Sequence, residues 1–204
     1  MTAEIYNRGQ DSIYGGHLSE MEDVMQEVVD NIQKLRDEKK SEDADPVEHL
    51  LYRIKSEDSM REKCRRRGLP ETTESALGEL TDSIGIRVVC PFLDQVYMIR
   101  DYLVGRTEGC CGYELVEEKD YIRHAKPNGY RSLHMILRVR GYYVEAQLRT
   151  ISMDTWAALE HQLKYKKALG GNLELITKEL KRCADELAST DVSMQTIRNM
   201  VQRG

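Results

Sequence analysis

The chain has 204 residues, of which 40% are hydrophobic and 32% are charged, with a formal net charge of −5. This composition excludes a disordered chain and predicts a globular protein of one or two domains. The acidic balance gives no general attraction to nucleic acid or to membranes. No apolar run approaches the length that spans a membrane.

The five cysteines form no C-x-x-C pair. Their odd number and irregular spacing indicate neither a disulfide framework nor a zinc site. The first residues lack the apolar core of a secretory signal. We therefore expect a reducing, cytoplasmic location.

The N-terminal part predicts helices. Residues 1–18 are polar and contain glycine, so we expect them to be loosely ordered. Residues 18–40 carry apolar side chains at helical spacing and predict an amphipathic helix, whose stripe comprises Met21, Val24, Met25, Val28, Ile32 and Leu35. An acidic linker follows at 41–45.

Pro46 is typical of a helix start and predicts a second helix that runs to residue 54. Its apolar positions are Val47, Leu50, Leu51 and Ile54. Ser56 is a good N-cap for a third helix, and Gly68 is a good end for it.

Residues 53–67 form a strongly basic segment of an acidic chain. Its cations are Arg53, Lys55, Arg61, Lys63, Arg65, Arg66 and Arg67. Such a cluster indicates either a local anionic ligand or an ordinary solvated helix face, and charge alone does not separate the two.

The middle of the chain is predicted to contain helices and strands in alternation. A short helix is predicted at 75–80, a buried strand at 84–92, a helix at 94–104 and a strand at 113–118. A loop is expected at 105–112 because that segment contains several glycines.

Residues 119–150 predict a loop that enters a β-hairpin. Pro127, Asn128 and Gly129 form a turn signal. Apolar and polar residues then alternate on both sides of a two-residue loop at 140–141. The predicted cross-strand pairs are Arg138 with Tyr143, Ile136 with Glu145, His134 with Gln147, and Ser132 with Arg149.

One face of this hairpin is polar, and two interpretations are open. Its residues are Ser132, His134, Glu145, Gln147 and Arg149. The basic residues of the entering loop are Lys119, Arg123, His124, Lys126 and Arg131. The face is either the solvated side of an antiparallel sheet or a floor for a ligand that carries phosphate and a metal.

The C-terminal part predicts more helices. Trp156, Glu160 and Lys164 share one face of a helix at 153–167, and we expect His161 to be a buried structural histidine. Gly170-Gly171 should break the chain. One long or two short amphipathic helices are predicted at 173–201.

Three motifs in this order, NGYRSLH, VEAQLRT and WAALEHQLKYK, resemble the synthetase domain of the RelA/SpoT family, and in particular the stand-alone small alarmone synthetases. The resemblance covers residues 45–168. It implies an α/β (α+β) nucleotidyltransferase-like fold with a mixed sheet of about four or five strands flanked by helices. Residues 1–44 would then be an N-terminal helical extension and residues 169–204 a C-terminal helical segment for oligomerisation.

The resemblance also implies an activity, synthesis of (p)ppGpp by transfer of pyrophosphate from ATP to the 3′-hydroxyl of GDP or GTP, with release of AMP. The implied catalytic residues and Mg²⁺ ligands are Asp82 and Glu145. Judged alone, Asp82 reads as a turn or cap residue. The implied ATP-binding residues are Arg53, Lys55, Ser56, Lys63 and Arg87. The implied GDP/GTP-binding residues are Lys126, Asn128, Tyr130, Arg131, Ser132, His134 and Gln147.

Three further expectations concern partners and regulation. The family's small stand-alone members form homotetramers through terminal helices, so we expect a homotetramer that requires neither membrane nor nucleic acid. The terminal helices could also pack on their own sheet. His49 and Leu51 stand where the family's alarmone-activated members have an aromatic residue and Thr, so we expect little activation by pppGpp.

The sequence lacks the motifs of several other phosphate-handling enzymes. No P-loop and no kinase glycine-rich loop is present. No histidine precedes an aspartate, so the His-Asp site of the family's hydrolase domain is absent. The alternative functions are pyrophosphorylation of the tRNA 3′ end, as in toxic relatives, and a catalytically silent nucleotide sensor.

Overall fold

The computed structural model describes residues 12–40, 45–106, 109–165 and 173–203. The strands are β1 (His49–Ile54), β2 (Ile84–Cys90), β3 (Glu114–Asp120), β4 (Leu133–Val139) and β5 (Tyr142–Thr150). The helices are α1 (Leu18–Lys39), α2 (Glu57–Arg67), α3 (Leu93–Leu103), α4 (Ile151–Tyr165) and α5 (Leu173–Val201). A 3-10 turn at Gly15–His17 and a π-helical turn at Ser75–Glu79 complete the elements.

The strands form one five-stranded mixed sheet in the order β1-β2-β5-β4-β3. The β2–β5 pair is parallel, and the other pairs are antiparallel. Helices pack around this sheet, which confirms the predicted fold class. Parallel pairing of β2 with β5 requires a crossover connection, and α3, β3 and β4 lie along the chain between the two strands.

The β4–β5 hairpin has the predicted register. Arg138 pairs with Tyr143, Ile136 with Glu145, and His134 with Gln147. Arg140 and Gly141 both have positive φ, 49° and 90°, as a two-residue turn between twisted strands demands. The fourth predicted pair lies just beyond the ladder, where Arg149 Nε donates to Ser132 Oγ at 3.3 Å.

The hydrophobic core lies on the apolar face of the sheet. Leu133, Met135 and Leu137 of β4 are fully buried there, as are Val144 and Ala146 of β5. The apolar residues of α1 and α3 join the same cluster. The opposite face of β4 and β5 carries polar side chains and is available to form a binding site.

The predicted helix from Pro46 to residue 54 is wrong, because this segment is the edge strand β1. It pairs with β2 from His49↔Val89 to Ile54↔Ile84. The apolar spacing fits a helix, but so short a helix is marginal in water. Pairing with β2 satisfies backbone groups that would otherwise form an open edge.

The expected loose order of residues 1–18 is also wrong for 12–17, while 1–11 lie outside the described residues. Ile13 and Tyr14 are buried. Tyr14 Oη donates to the Lys55 carbonyl at 2.6 Å, and Ser12 Oγ donates to Glu57 Oε1 at 2.7 Å. This segment packs on the connection between β1 and α2, which carries predicted ATP-binding residues.

Most helix predictions are confirmed. α2 begins after Ser56 and ends at Arg67, followed by the capping residue Gly68, whose φ is 69°. α5 is one long helix. Among the described helices, none has the length and apolarity needed to cross a membrane. Residues 41–44 of the predicted linker at 41–45 and the predicted break at Gly170-Gly171 lie outside the described residues.

The prediction of a buried His161 is wrong, because His161 is exposed. The inner face of α4 carries Trp156 and Glu160, which are buried. His161 follows Glu160 directly, and one residue is about 100° around a helix. That rotation turns its side chain away from the protein.

Candidate active site

An open cleft of about 530 Å³ lies on the polar side of the sheet. This volume is in the range of small-molecule sites. Its walls come from β1, β2, β5 and the turn before β2. The lining residues are Leu51, Tyr52, Arg53, Lys55, Asp82, Gly85, Ile86, Arg87, Glu145 and Gln147.

Parallel pairing of β2 with β5 arranges the cleft floor. Gly85 is opposite Glu145, and Arg87 is opposite Gln147. A Cβ at Gly85 would have the Arg53 carbonyl oxygen as its nearest neighbour, at 3.8 Å. Gly85 and Glu145 both line the cleft, and a Cβ at position 85 would fit without a clash.

Asp82, in the turn before β2, is held by two lysines. Lys63 Nζ lies 2.5 Å from its Oδ2, and Lys55 Nζ donates to the same oxygen. Its Oδ1 is buried and accepts no hydrogen bond from the described residues. Burial by itself would raise the pKa of Asp82, but hydrogen bonds from Lys55 and Lys63 outweigh it and lower the pKa below its usual value. Asp82 is therefore ionised at neutral pH.

Glu145 is the second carboxylate of the cleft. Gln147 Nε2 donates to its Oε2 at 3.1 Å, and His134 Nδ1 lies 3.6 Å from its Oε1. Burial would raise the pKa of Glu145, but the interaction with His134 outweighs it and the pKa is lowered. Two ionised carboxylates therefore border the same cleft.

This pair has the donor chemistry that Mg²⁺ prefers. Proteins usually bind Mg²⁺ through one or two carboxylates together with substrate phosphates. Asp82 also offers a buried oxygen without a hydrogen-bond partner in the described chain. The described residues include no cluster of three His, Cys, Asp or Glu side chains for a metal, so this site would need ligand oxygens as well.

Most of the predicted ATP-binding residues come together. Arg53, Lys55 and Arg87 line the cleft, and Lys63 forms an ion pair with Asp82, which also lines it. Burial, and then the charge of Arg149, lowers the pKa of the Arg87 guanidinium. Ser56 precedes α2, where its Oγ donates to Ser59 Oγ at 2.8 Å, and it is not among the lining residues.

Three predicted acceptor residues form a cluster beside Glu145. Tyr130 Oη and His134 Nε2 share a hydrogen bond of 2.8 Å. Lys126 Nζ lies 4.9 Å from the centre of the Tyr130 ring and 4.4 Å from that of Tyr121. An aromatic ring, an imidazole and an ammonium group are thus adjacent.

Three other predicted acceptor residues face elsewhere. Asn128 Nδ2 donates to Glu160 Oε1 at 3.1 Å, and Arg131 Nη2 donates to Asp185 Oδ1 at 2.8 Å. Ser132 is fully buried. In this structure their side chains hold the loop in place rather than line the cleft.

Two residues of the site were not among the predicted binding residues. Arg149 is buried and donates to Tyr130 Oη at 2.6 Å and to Asp154 Oδ1 at 3.1 Å. The hairpin pattern placed Arg149 on the polar face, and a buried guanidinium needs such partners. Tyr121 packs edge-on to Tyr130 and His134. Tyr121 and Tyr130 lie at opposite ends of the loop between β3 and β4, so their contact depends on the fold of that loop.

A family model described as "Region found in RelA / SpoT proteins" matches residues 52–169. Two relatives come from Bacillus subtilis (strain 168). GTP pyrophosphokinase YwaC is 36% identical over 165 residues, which are 76% of this chain and 76% of YwaC. GTP pyrophosphokinase YjbM is 32% identical over 170 residues, 79% of this chain and 76% of YjbM.

Solved structures agree with these matches. Small alarmone synthetase 2 from Bacillus subtilis superposes with a TM-score of 0.74 at 29% identity, covering 91% of this chain and 98% of that one. Small alarmone synthetase 1 from the same organism, bound to its product pppGpp, gives a TM-score of 0.71 at 28% identity, covering 89% and 94%.

Proposed function

Because the chain belongs to the RelA/SpoT family, we propose that it synthesises (p)ppGpp by moving pyrophosphate from ATP to the 3′-hydroxyl of GDP or GTP, with release of AMP. The observation that carries this proposal is the position of two ionised carboxylates, Asp82 and Glu145, in one cleft. Cations border them on one side and the Tyr130–His134 cluster lies on the other.

The relatives support the same reaction. Two of them are named GTP pyrophosphokinases, and a solved structure of a small alarmone synthetase holds its product pppGpp. The match extends over most of each chain, so it includes the cleft and both flanking groups of residues.

On the donor side, the cations suit ATP. Arg53 and Arg87 would contact the two faces of adenine, because guanidinium planes stack well on bases. Lys55 and Lys63 would transfer from Asp82 to the phosphates, since a triphosphate offers several charged acceptors in place of one.

Asp82 and Glu145 would hold Mg²⁺. The bound ion would neutralise negative charge on the phosphate oxygens as the α–β bridge breaks. Glu145 is ionised and borders the acceptor cluster, so it would also accept the proton of the attacking 3′-hydroxyl.

On the acceptor side, Tyr130 would stack on guanine. Lys126 and His134, both next to that ring, would contact acceptor phosphates. Gln147 would lie near the guanine or the ribose, because it borders the cleft beside Glu145.

The activity is tested with ATP labelled in its γ-phosphate and with GDP, GTP or purified tRNA as the acceptor. We expect label in ppGpp or pppGpp and an equal amount of AMP. Label on tRNA alone, or no transfer with any acceptor, would overturn the proposal. Glu145→Gln should abolish transfer, whereas Glu114→Gln, an exposed residue of β3, should leave it unchanged.

A cytoplasmic location and a homotetramer complete the proposal. All five cysteines are free thiols, as is usual in a reducing compartment. Exposed apolar side chains on α5 support assembly.

A further inference from the structure

The loop that carries Tyr130, residues 127–132, rests directly on α5. Gly129 has a φ of 93°, and a Cβ there would lie 2.7 Å from Ala184 Cβ and 3.0 Å from Lys181 Cα. Such distances are too short for any side chain. The loop backbone therefore contacts the helix surface with no room between them.

An ion pair joins the same loop to the same helix. Arg131 Nη2 donates to Asp185 Oδ1 at 2.8 Å, while its Nη1 donates to the Gly129 carbonyl at 3.1 Å. Lys181 Nζ holds the other carboxylate oxygen of Asp185 at 2.7 Å. The Arg131 guanidinium thus links the loop backbone at Gly129 to Asp185 of α5.

α5 itself is fixed to the catalytic domain near this point. Trp156 Nε1 donates to the Leu180 carbonyl at 2.8 Å, and Thr150 Oγ1 donates to Asp191 Oδ2 at 2.6 Å. The Trp156 ring also packs edge-on to Tyr130, with centroids 6.4 Å apart. A movement of α5 would therefore reach the acceptor cluster.

We propose that Asp185 is a positioning residue for the pyrophosphate acceptor, acting through Arg131. The residues on both sides of Tyr130, Gly129 and Arg131, are anchored to α5, and this fixes the ring beside His134. Arg131 is then an anchor of the loop and not a contact of the acceptor phosphates. This inference rests on the proposed function, because it concerns the acceptor side of the same cleft.

The test compares the wild type with Asp185→Asn, Arg131→Asp and the exchanged pair Arg131→Asp/Asp185→Arg. Asp185→Asn should raise the KM for GDP about threefold, as expected for a partly exposed ion pair. Arg131→Asp should raise it about tenfold or more, because two carboxylates then face each other. The exchanged pair should recover part of that loss, because it restores opposite charges between the loop and α5 although Lys181 then lies beside a second cation. The KM for ATP should stay unchanged throughout.

Arg182→Gln is the matched control. Arg182 lies on the solvent side of α5, where it pairs with Glu179 and Glu186. Its loss removes ion pairs within α5 that do not involve the loop. A general weakening of α5 would change this variant too, whereas the inference requires an unchanged KM for GDP.

A second readout separates acceptor binding from turnover. Trp156 is the single tryptophan of the chain and contacts Tyr130, so its fluorescence should report GDP binding directly. An unchanged GDP affinity in Asp185→Asn, or an exchanged pair as weak as Arg131→Asp, would overturn the inference. A wild type that binds GDP but makes no product would contradict the proposed function alone.

Discussion

Lys63 and Asp82 form an ion pair with an Nζ–Oδ2 distance of 2.5 Å, and both side chains are mostly buried. The pair connects α2 to the turn before β2. Lys55 donates to the same oxygen, so two ammonium groups share one carboxylate oxygen while the other has no partner among the described residues. The carboxylate keeps both lysines directed at the cleft that we assign to ATP.

Asp82→Asn should abolish synthesis. The amide keeps the shape of the side chain but loses the charge that holds the two lysines and that, in the proposed mechanism, would bind Mg²⁺. We expect turnover to fall by a factor of about 10²–10³ or more, as for the loss of other electrostatic groups that stabilise a transition state. Product formation at saturating ATP and GDP checks this, with circular dichroism to confirm folding. Turnover near the wild-type value would refute the assigned role.

Lys63→Gln should weaken ATP binding selectively. The variant removes one of the cations that would meet the triphosphate, and a charge-assisted hydrogen bond is worth about tenfold in affinity. The KM for ATP should rise by that factor and the KM for GDP should not. Arg66→Gln, an exposed residue of the same helix, is the control and should change neither.

The hairpin could be predicted from the sequence, because alternation along both strands favours the register that places Leu133, Met135, Leu137, Val144 and Ala146 on one face. The edge strand β1 could not be predicted in the same way. Leu50 and Ile54 fit a helical period, and their strand conformation depends on β2, to which β1 pairs.

The site was predictable to a similar degree. Motif and alternation placed Glu145 and His134 on one face, which the structure confirms. The direction of Arg131 depends on Asp185, more than fifty residues further along the chain, and no local pattern encodes that contact.

Tyr130 allows ring and hydroxyl effects to be separated. Tyr130→Ala should raise the KM for GDP about tenfold or more, since base stacking on an aromatic ring is worth about 1–3 kcal/mol. Tyr130→Phe keeps the ring and loses only the hydrogen bonds with His134 and Arg149, so its effect should be smaller. Initial rates at varied GDP and fixed ATP give both values. Equal effects on GDP and ATP would argue against a guanine contact.

The Arg36–Asp45 pair predicts a pH-dependent stability. Arg36 Nη2 lies 2.7 Å from Asp45 Oδ2, and the Val47 amide donates to Oδ1 at 3.0 Å. The hydrogen bonds from Arg36 hold the pKa of Asp45 well below its usual range. A lowered pKa in the folded state stabilises the protein above the unfolded value of about 4 and loses that effect as the pH falls further.

Asp45→Asn should therefore lower the free energy of unfolding at pH 7 by about 1–2 kcal/mol. The difference from the wild type should shrink as the pH falls below about 4. Urea denaturation at several pH values measures both quantities. A difference that stays constant down to the lowest pH at which both proteins fold would contradict this account.

The two terminal helices differ in a way that sharpens the prediction of a homotetramer. The apolar stripe of α1 is buried in its own domain, so its stripe is not available to a partner. α5 instead exposes a series of apolar side chains, namely Val192, Met194, Ile197, Met200 and Val201. Exposed apolar surface of this extent is typical of contacts between subunits.

We expect light scattering at micromolar concentration to give the mass of four chains. Met194→Glu/Val201→Glu should lower that mass, because burying a carboxylate in an apolar interface is strongly unfavourable. Lys178→Glu, a charge change at an exposed position of the same helix, should leave the mass unchanged. The mass of a single chain for the wild type would show that the apolar surface of α5 serves another purpose.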